Sequence, residues 1–405
     1  MISIKSQTTI AYIYFLIAAV FGVFLRALHV FDFDVNYRHI VHGHSHIALL
    51  GWVYLCLTTL LYHFFISKNE DLNQKHQRIF IFTQCTLVGM MLTFPFQGYA
   101  LFSIIFSTLF LFASYWFTWF FVKNSSSTLK KSACYPYIKA SLYYLVLSSI
   151  GPWALGGIMT ILGPGSIWYR LAIYFYLHFQ YNGWMLLALI GIFIYIFENK
   201  GATLPRKQNK RFFIALNISV LLTLFLSALW TKPIGFVYVL SGAGGLLQLV
   251  CFMYALGYIK MKWANLQAAF TSTEIFMFKT VMCVLGLKLI IQFLGAIPYF
   301  SNLSATIIEL TIAYLHWIFL GLISMSLFLI LSVSKLFNIT SNAFKFYLLG
   351  FILTEGLIIY KGIDVWSGKF SIPDYYNEGL LIASIMLFLS IFYVFQKNIS
   401  KKSTA

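Results

Sequence analysis

The chain has 405 residues, 60% of them hydrophobic and 10% charged, with a mean hydropathy of +0.82 and a formal net charge of +17. Soluble domains carry about a quarter charged residues, so this composition excludes a soluble globular protein and points to one embedded in a lipid bilayer. The basic residues sit in short loops between apolar runs rather than on a folded polar surface, which excludes a nucleic-acid role.

Apolar runs long enough to cross a hydrocarbon core, about 20 residues each, occur in chain order near residues 8–30, 40–66, 78–97, 99–122, 136–162, 168–197, 210–230, 234–259, 274–297, 305–334, 344–362 and 375–396. The predicted fold is therefore all-α, a polytopic membrane bundle of about twelve transmembrane helices. It is expected to form a single integral membrane domain over residues 1–405, because no stretch is polar enough for a soluble module. The first run is read as a retained helix, since no small-residue cleavage site follows it. GPGS at 163–166 and the Ser-rich run at 124–128 are predicted loops, and no internal repeat is apparent.

Lys and Arg accumulate on the cytoplasmic side of a membrane protein. With the N-terminus inside, Lys68, Lys75, Arg78, Lys123, Lys130, Lys131, Lys200, Arg206, Lys207, Lys210, Arg211, Lys260, Lys262, Lys335 and Lys345 fall in or beside inner loops, joined by Lys5, Lys397, Lys401 and Lys402. The outer loops hold mainly Arg38, Lys232, Lys361 and Lys369, some of them offset by Asp32, Asp34, Asp364 and Asp374. Both termini are thus expected in the cytoplasm, with the chain in a bacterial inner membrane. The cysteines, Cys56, Cys85, Cys134, Cys251 and Cys283, show no metal-ligand spacing and no C-x-x-C-H for covalent haem attachment.

The histidines carry the chemical signal. The second run opens with His39-Ile-Val-His42-Gly-His44-Ser-His46, the sixth carries His178 in YLHFQYNGW, and the tenth carries His316 in IAYLHWIFLG. All three runs pass from outside to inside under the charge argument. His46 lies about two turns from its outer end, and His178 and His316 about three; at about 1.5 Å per residue the imidazoles share one depth in the outer half of the membrane. One intramembrane histidine is adequately explained as an interhelical hydrogen-bond partner. Three at one depth favour a metal or haem site, because ionisable side chains in a bilayer are costly and usually line a site. Neutral imidazole suits iron, copper and zinc alike. At about 100° per residue His42 and His46 share a face, with His39 beneath the same stripe and His44 nearly opposite, so this run offers one or two ligands. Acidic residues are too few nearby for a carboxylate di-iron site, which leaves a bis-histidine haem spanning the second and tenth runs as the better candidate.

The string His44-Ser-His46-Ile-Ala-Leu-Leu-Gly-Trp, read as H-x-H-x-x-L-[LF]-G-[WF], resembles the second helix of NnrS-type haem and copper membrane proteins and of divergent relatives of haem-copper oxidase subunit I. His316-Trp-Ile-Phe-Leu-Gly-Leu-Ile-Ser-Met is similar to their late H-x-x-x-x-G-x-[IL]-x-x-M helix. The resemblance covers the chain loosely, through the helix count and through histidines on the helices that bear metal ligands in subunit I. It implies an oxidase-like bundle, a haem held by His46 or its neighbours and His316, and a copper ligand at His178, with Tyr181 on the same helix face. The chain departs from the oxidase pattern in two places. Its seventh run, 210–230, has no histidine for the further copper ligands, and its tenth has one where the oxidases carry a pair. A complete dinuclear oxygen-reducing centre is therefore not evident.

Other polar residues fit such a site without requiring it. Lys288 lies mid-run with Gln292 one turn on, Glu309 shares a face with His316, and Glu355 lies within the eleventh run. Lys288, Glu309 and Glu355 would serve a proton path, and a structural Lys–Glu pair explains them equally well. Arg26 and Arg170 would pair with haem propionates or anchor helix ends at the interface. His29 would join the cluster or simply be solvated at the interface; His63 and His76, at the inner side, are read as structural.

Two functions follow. The first is a haem-binding, potentially copper-binding, membrane protein of the haem-copper oxidase superfamily, with a membrane or periplasmic electron donor and a diatomic gas such as nitric oxide or oxygen as partners; an activity, if present, would be that of a haem-dependent oxidoreductase. The second is a twelve-helix secondary transporter whose histidines bind substrate, metal or protons. GPWALGG at 151–157 and SGAGG at 241–245 are its candidate helix breaks.

Overall fold

A computed structural model describes residues 2–369 and 372–399; Lys401 and Lys402 lie outside the described residues. Among these residues the chain is helical with no strand. Eleven helices are long and apolar enough to cross a membrane: α1 (Ile4–Ala27), α2 (Tyr37–Phe65), α3 (Glu70–Gln97), α4 (Leu101–Asn124), α5 (Tyr135–Ile161), α6 (Ile167–Asn199), α7 (Arg206–Thr231), α8 (Gly235–Met261), and, after α9, α10 (Ile308–Val333), α11 (Ser341–Ser367) and α12 (Tyr376–Ile399). The twelfth, α9 (Ser272–Leu294), is apolar enough only together with Pro298–Thr306, into which the chain bends by 104°. The expected all-α, multi-span architecture is thus present.

Two differences from the predicted runs have physical causes. α3 starts at Glu70 rather than near residue 78 because its first turns are polar, and they are held by Tyr62 of α2. The Tyr62 hydroxyl donates to Asn73 Oδ1, and the His76 ring stacks on Tyr62 at 3.5 Å. This accounts for His76 structurally. α8 runs unbroken through its SGAGG, whereas α5 is interrupted by a turn at Ser149, ahead of the GPWALGG segment.

The chain forms two compact units, Met1–Ser125 with Phe319–Ala405, and Ser126–Ile318. In the first, the fully buried Trp52 of α2 stacks on Phe15 of α1 at 4.7 Å and donates Nε1–H to Ser324 Oγ of α10 at 2.9 Å. Tyr12 of α1 donates to the Ile391 carbonyl of α12, and Tyr347 of α11 to the Leu320 carbonyl of α10. With no water in a hydrocarbon core, the receiving carbonyl removes the cost of burying such a hydroxyl unpaired. In the second unit, Tyr137 of α5 donates to Asn209 of α7 at 2.9 Å, and Phe179 of α6 stacks on Tyr144 of α5 at 5.5 Å.

One constellation occurs in both units. In the first, Gly51 of α2 lies so close to Tyr14 of α1 that an added Cβ would sit 2.9 Å from Tyr14 Cβ, and the Tyr14 hydroxyl donates to Gln84 Oε1 of α3 at 2.9 Å. In the second, Gly183 of α6 bears the same relation to Tyr144 of α5 at 2.8 Å, and the Tyr144 hydroxyl donates to Asn217 Oδ1 of α7 at 3.1 Å. A repeat invisible as sequence identity is therefore present as a contact pattern. Gly51→Ala and Gly183→Ala should each destabilise the protein by about 1–3 kcal/mol through overpacking, read as a lowered unfolding temperature in detergent. Gly156→Ala, whose Cβ would meet nothing within 4 Å, is the control; an equal fall there would refute the close-packing argument.

Candidate functional site

Each of the three predicted ligand histidines ends an α-helical stretch and opens a π-helical one. His46 precedes Ile47–Tyr54, His178 precedes Phe179–Met185, and His316 precedes Trp317–Ser324. In every case a glycine follows five residues later, at Gly51, Gly183 and Gly321. π-Helical segments are rare and concentrate at functional sites. The wider turn persists only where packing holds it, and for α2 and α6 the packing is the tyrosine seated on the glycine.

On α2 the histidines divide between two faces as the helical period requires. Asn36 caps the helix, its Oδ1 accepting from Arg38 N–H at 3.0 Å, and so fixes where the first histidine falls. His44 turns to α1, with Nδ1 2.8 Å from the Ala18 carbonyl. His42 and His46 turn to the end of α3 and the loop after it. His46 stacks on Phe94 at 4.2 Å, places Nδ1 2.9 Å from the His42 carbonyl, and holds Nε2 3.2 Å from the Tyr99 hydroxyl. His42 meets the Tyr99 ring edge-on at 4.6 Å. A ring nitrogen facing a carbonyl must carry the hydrogen, so His44 and His46 both donate from Nδ1 and keep Nε2 as the basic nitrogen. Metal-ligating imidazoles are oriented in this way, and these two side chains fit a haem or metal ligand in that respect.

His178 is used differently. Fully buried, it donates Nε2–H to the Val220 carbonyl of α7 at 2.9 Å and accepts at Nδ1 from Asn182 Nδ2 at 3.3 Å. Lys288 of α9, 1% exposed, donates to Asn182 Oδ1 at 2.6 Å and to Gln292 Oε1 at 2.5 Å. Gln292 then donates to Gln248 Oε1 of α8 at 2.8 Å and Gln248 to Thr223 Oγ1 of α7 at 3.4 Å, and the Thr223 hydroxyl is shared between the Ser219 carbonyl at 2.8 Å and the Val220 carbonyl at 3.2 Å. The hydrogen bonds close a ring through α6, α7, α8 and α9. The partners of Lys288 in it are neutral amides rather than the glutamate of a structural Lys–Glu pair. With both nitrogens of His178 engaged, the ring leaves no lone pair turned towards a copper ion.

The remaining candidates are dispersed. His316 is partly buried at the head of its π-helical segment, and the adjoining Trp317 donates Nε1–H to the Val284 carbonyl of α9 at 3.0 Å. Glu309 is partly buried on α10. Glu355 is buried in the first unit beside Thr354, whereas Lys288 and Glu309 belong to the second. The Arg170 guanidinium lies over the Trp230 ring, 4.7 Å from its centroid, and Arg26 is partly buried in the last turn of α1. All five cysteines are free. Cys134, outside the spans, has its thiol pushed up to about 11, chiefly by burial. Among the described residues no three His, Cys, Asp or Glu side chains are gathered as metal ligands.

Sequence reasoning missed Tyr99, Asn182, Thr223 and Gln248. The first lies in a loop, and the others are ordinary polar residues whose partners come from different helices. The recurring H-x-x-x-x-G was a readable signal for the π-helical heads. Compared with known proteins, the sequence matches no family model and no curated protein.

The ring makes a quantitative claim. A double-mutant cycle on Asn182→Ala and Lys288→Met should return a coupling of about 1–3 kcal/mol in unfolding free energy, whereas Asn209→Ala, which shares no partner with Lys288, should combine with Lys288→Met additively within about 0.5 kcal/mol. Additivity of the first pair would show that the ring does not hold in solution.

Proposed function

We propose that the chain is a haem-binding integral membrane protein akin to haem-copper oxidase subunit I, with both termini cytoplasmic, serving one-electron transfer or the handling of a diatomic gas such as nitric oxide or oxygen. One observation carries this reading: the same histidine-headed π-helical element recurs in α2, α6 and α10, the helices that supply metal ligands in the family the sequence resembles. A fold with no cofactor has no evident need to place three imidazoles at equivalent points of a costly helical distortion.

A bound haem would supply one-electron iron chemistry. His316, together with His42, His44 or His46, would hold it. The Nδ1 anchors of His44 and His46 fix ring orientation before any iron arrives, which reduces the ordering cost of ligation. Arg26 and Arg170 are the propionate partners. Stacking on Trp230 occupies the face of the Arg170 guanidinium and leaves its N–H edge for a carboxylate. Copper is the second candidate cofactor, and His178 would bind it only on releasing Asn182.

The competing reading, a secondary transporter, draws on the buried polar ring at Lys288 and on the bend after α9. Absorption spectra of the detergent-purified protein, oxidised and reduced, decide between them. Haem bands are expected, lost in His316→Ala and in at least one of His42→Ala, His44→Ala and His46→Ala. A colourless protein from haem-supplied cells would overturn the haem reading, and full haem retention in all four variants would overturn the ligand set.

A further inference from the structure

We infer that His42, His46 and Tyr99 form a binding site for a divalent transition-metal ion, zinc or copper, at the N-terminal end of α2. The site takes His42 and His46 and leaves His44 and His316 to a haem, so the inference does not rest on the haem reading.

Two histidines at i and i+4 on one helix face are a recurrent metal-binding pair, and His42 and His46 have that spacing and turn to the same neighbours, Phe94 and Tyr99. His46 Nδ1 is committed to the His42 carbonyl, so the coordinating nitrogen is Nε2. Nε2 stands 3.2 Å from the Tyr99 oxygen. Two ligands about 2.0–2.1 Å from a tetrahedral ion lie about 3.3 Å apart. The nitrogen and oxygen are therefore already at ligand spacing, and an ion can replace the phenol proton with little movement. No hydrogen bond engages the ring nitrogens of His42 among the described residues, and its ring abuts Tyr99.

The loop is built to hold the phenol there. Gly98 has φ +59°, and an added Cβ at that residue would come within 2.5 Å of the His39 ring, so a side chain there would displace the histidine face as well as strain the turn. Ser103 Oγ accepts from Ala100 N–H at 2.9 Å and donates to the Gly98 carbonyl at 2.5 Å, which ties down both sides of Tyr99. Phe94 forms an apolar floor under His46. Tyr99 is 50% exposed, which gives an ion a route from water. The third donor is a phenol, which is why the site is not a cluster of histidines, cysteines and acids.

On binding, the ion forms bonds to two neutral imidazoles and to the Tyr99 oxygen. The phenol proton is released to water, no electron moves, and the fourth position is left for water or another small ligand. One proton should therefore leave per ion bound.

Isothermal titration calorimetry tests this on the full chain in detergent, stripped with chelator and titrated with zinc chloride in two buffers of different ionisation enthalpy. One ion per chain and one proton released are expected. His42→Ala and His46→Ala should weaken binding by about 100-fold, and Tyr99→Phe by about tenfold or more with loss of the proton release, given that even partners of a metal ligand are worth about 10–100-fold. His316→Ala should bind zinc as the unaltered chain does, whatever its haem content. Absence of binding by the unaltered chain, or unchanged affinity in His42→Ala, would overturn the site. Unchanged affinity and proton release in Tyr99→Phe, which removes a single hydroxyl and spares the fold, would overturn the phenol as a ligand.

Discussion

A bilayer interior offers no water, so a polar group carried into it is costly unless another group of the protein meets it. The ring around Lys288 shows what that requirement does to a structure. An amine is a donor, and a backbone carbonyl is an acceptor only. Between the lysine and the Val220 carbonyl, every amide and hydroxyl must both accept and donate, in an order that the two ends dictate. Both arms obey this: Asn182 and His178 on one side, Gln292, Gln248 and Thr223 on the other. Because each member is oriented by its neighbour, the ring fixes which nitrogen of His178 bears the hydrogen and which way Asn182 points. Leaving one buried group unmatched costs about 1–3 kcal/mol, so the arrangement resists piecemeal change.

The same requirement decides where helices can deviate. A π-helical turn keeps backbone groups paired while widening the helix, and it needs neighbours shaped to receive the wider turn. Gly51 against Tyr14 and Gly183 against Tyr144 supply that shape, and the tyrosine hydroxyls are in turn paired with Gln84 and Asn217. A smaller residue opposite the glycine would leave a void, and a larger one in place of the glycine would force the helices apart. The distortion, the glycine and the paired tyrosine therefore belong to one device, and the histidine at its head is placed by all of them.

How much of this was legible in the sequence depends on the length scale of each feature. The spans were legible because their length is set by the hydrocarbon thickness and their composition by lipid, both local properties. The division of His44 from His42 and His46 was legible because it follows from helical period alone. The polar start of α3 was not, since a hydropathy window registers Glu70 to Arg78 as loop and cannot see Tyr62 accommodating Asn73 and His76. The ring was not legible either. Its members lie on α6, α7, α8 and α9, and nothing in the local sequence around Gln248 or Thr223 announces a partner dozens of residues away. Tyr99 stands outside every periodic segment, where pattern reading has no purchase.

The two fully described histidine-headed elements share their scaffold and differ in chemistry, and a single position accounts for the difference. Four residues after the histidine stand Leu50 in α2, Asn182 in α6 and Leu320 in α10. Asn182 reaches back to His178 Nδ1 and links it to Lys288, which converts that imidazole into a member of a buried hydrogen-bonded ring. Leucine at the same place in α2 offers His46 no amide, and its basic nitrogen instead meets a half-exposed phenol from a loop. In these two elements the residue one turn after the histidine thus decides which group meets the imidazole, a buried amide in α6 and a loop phenol in α2.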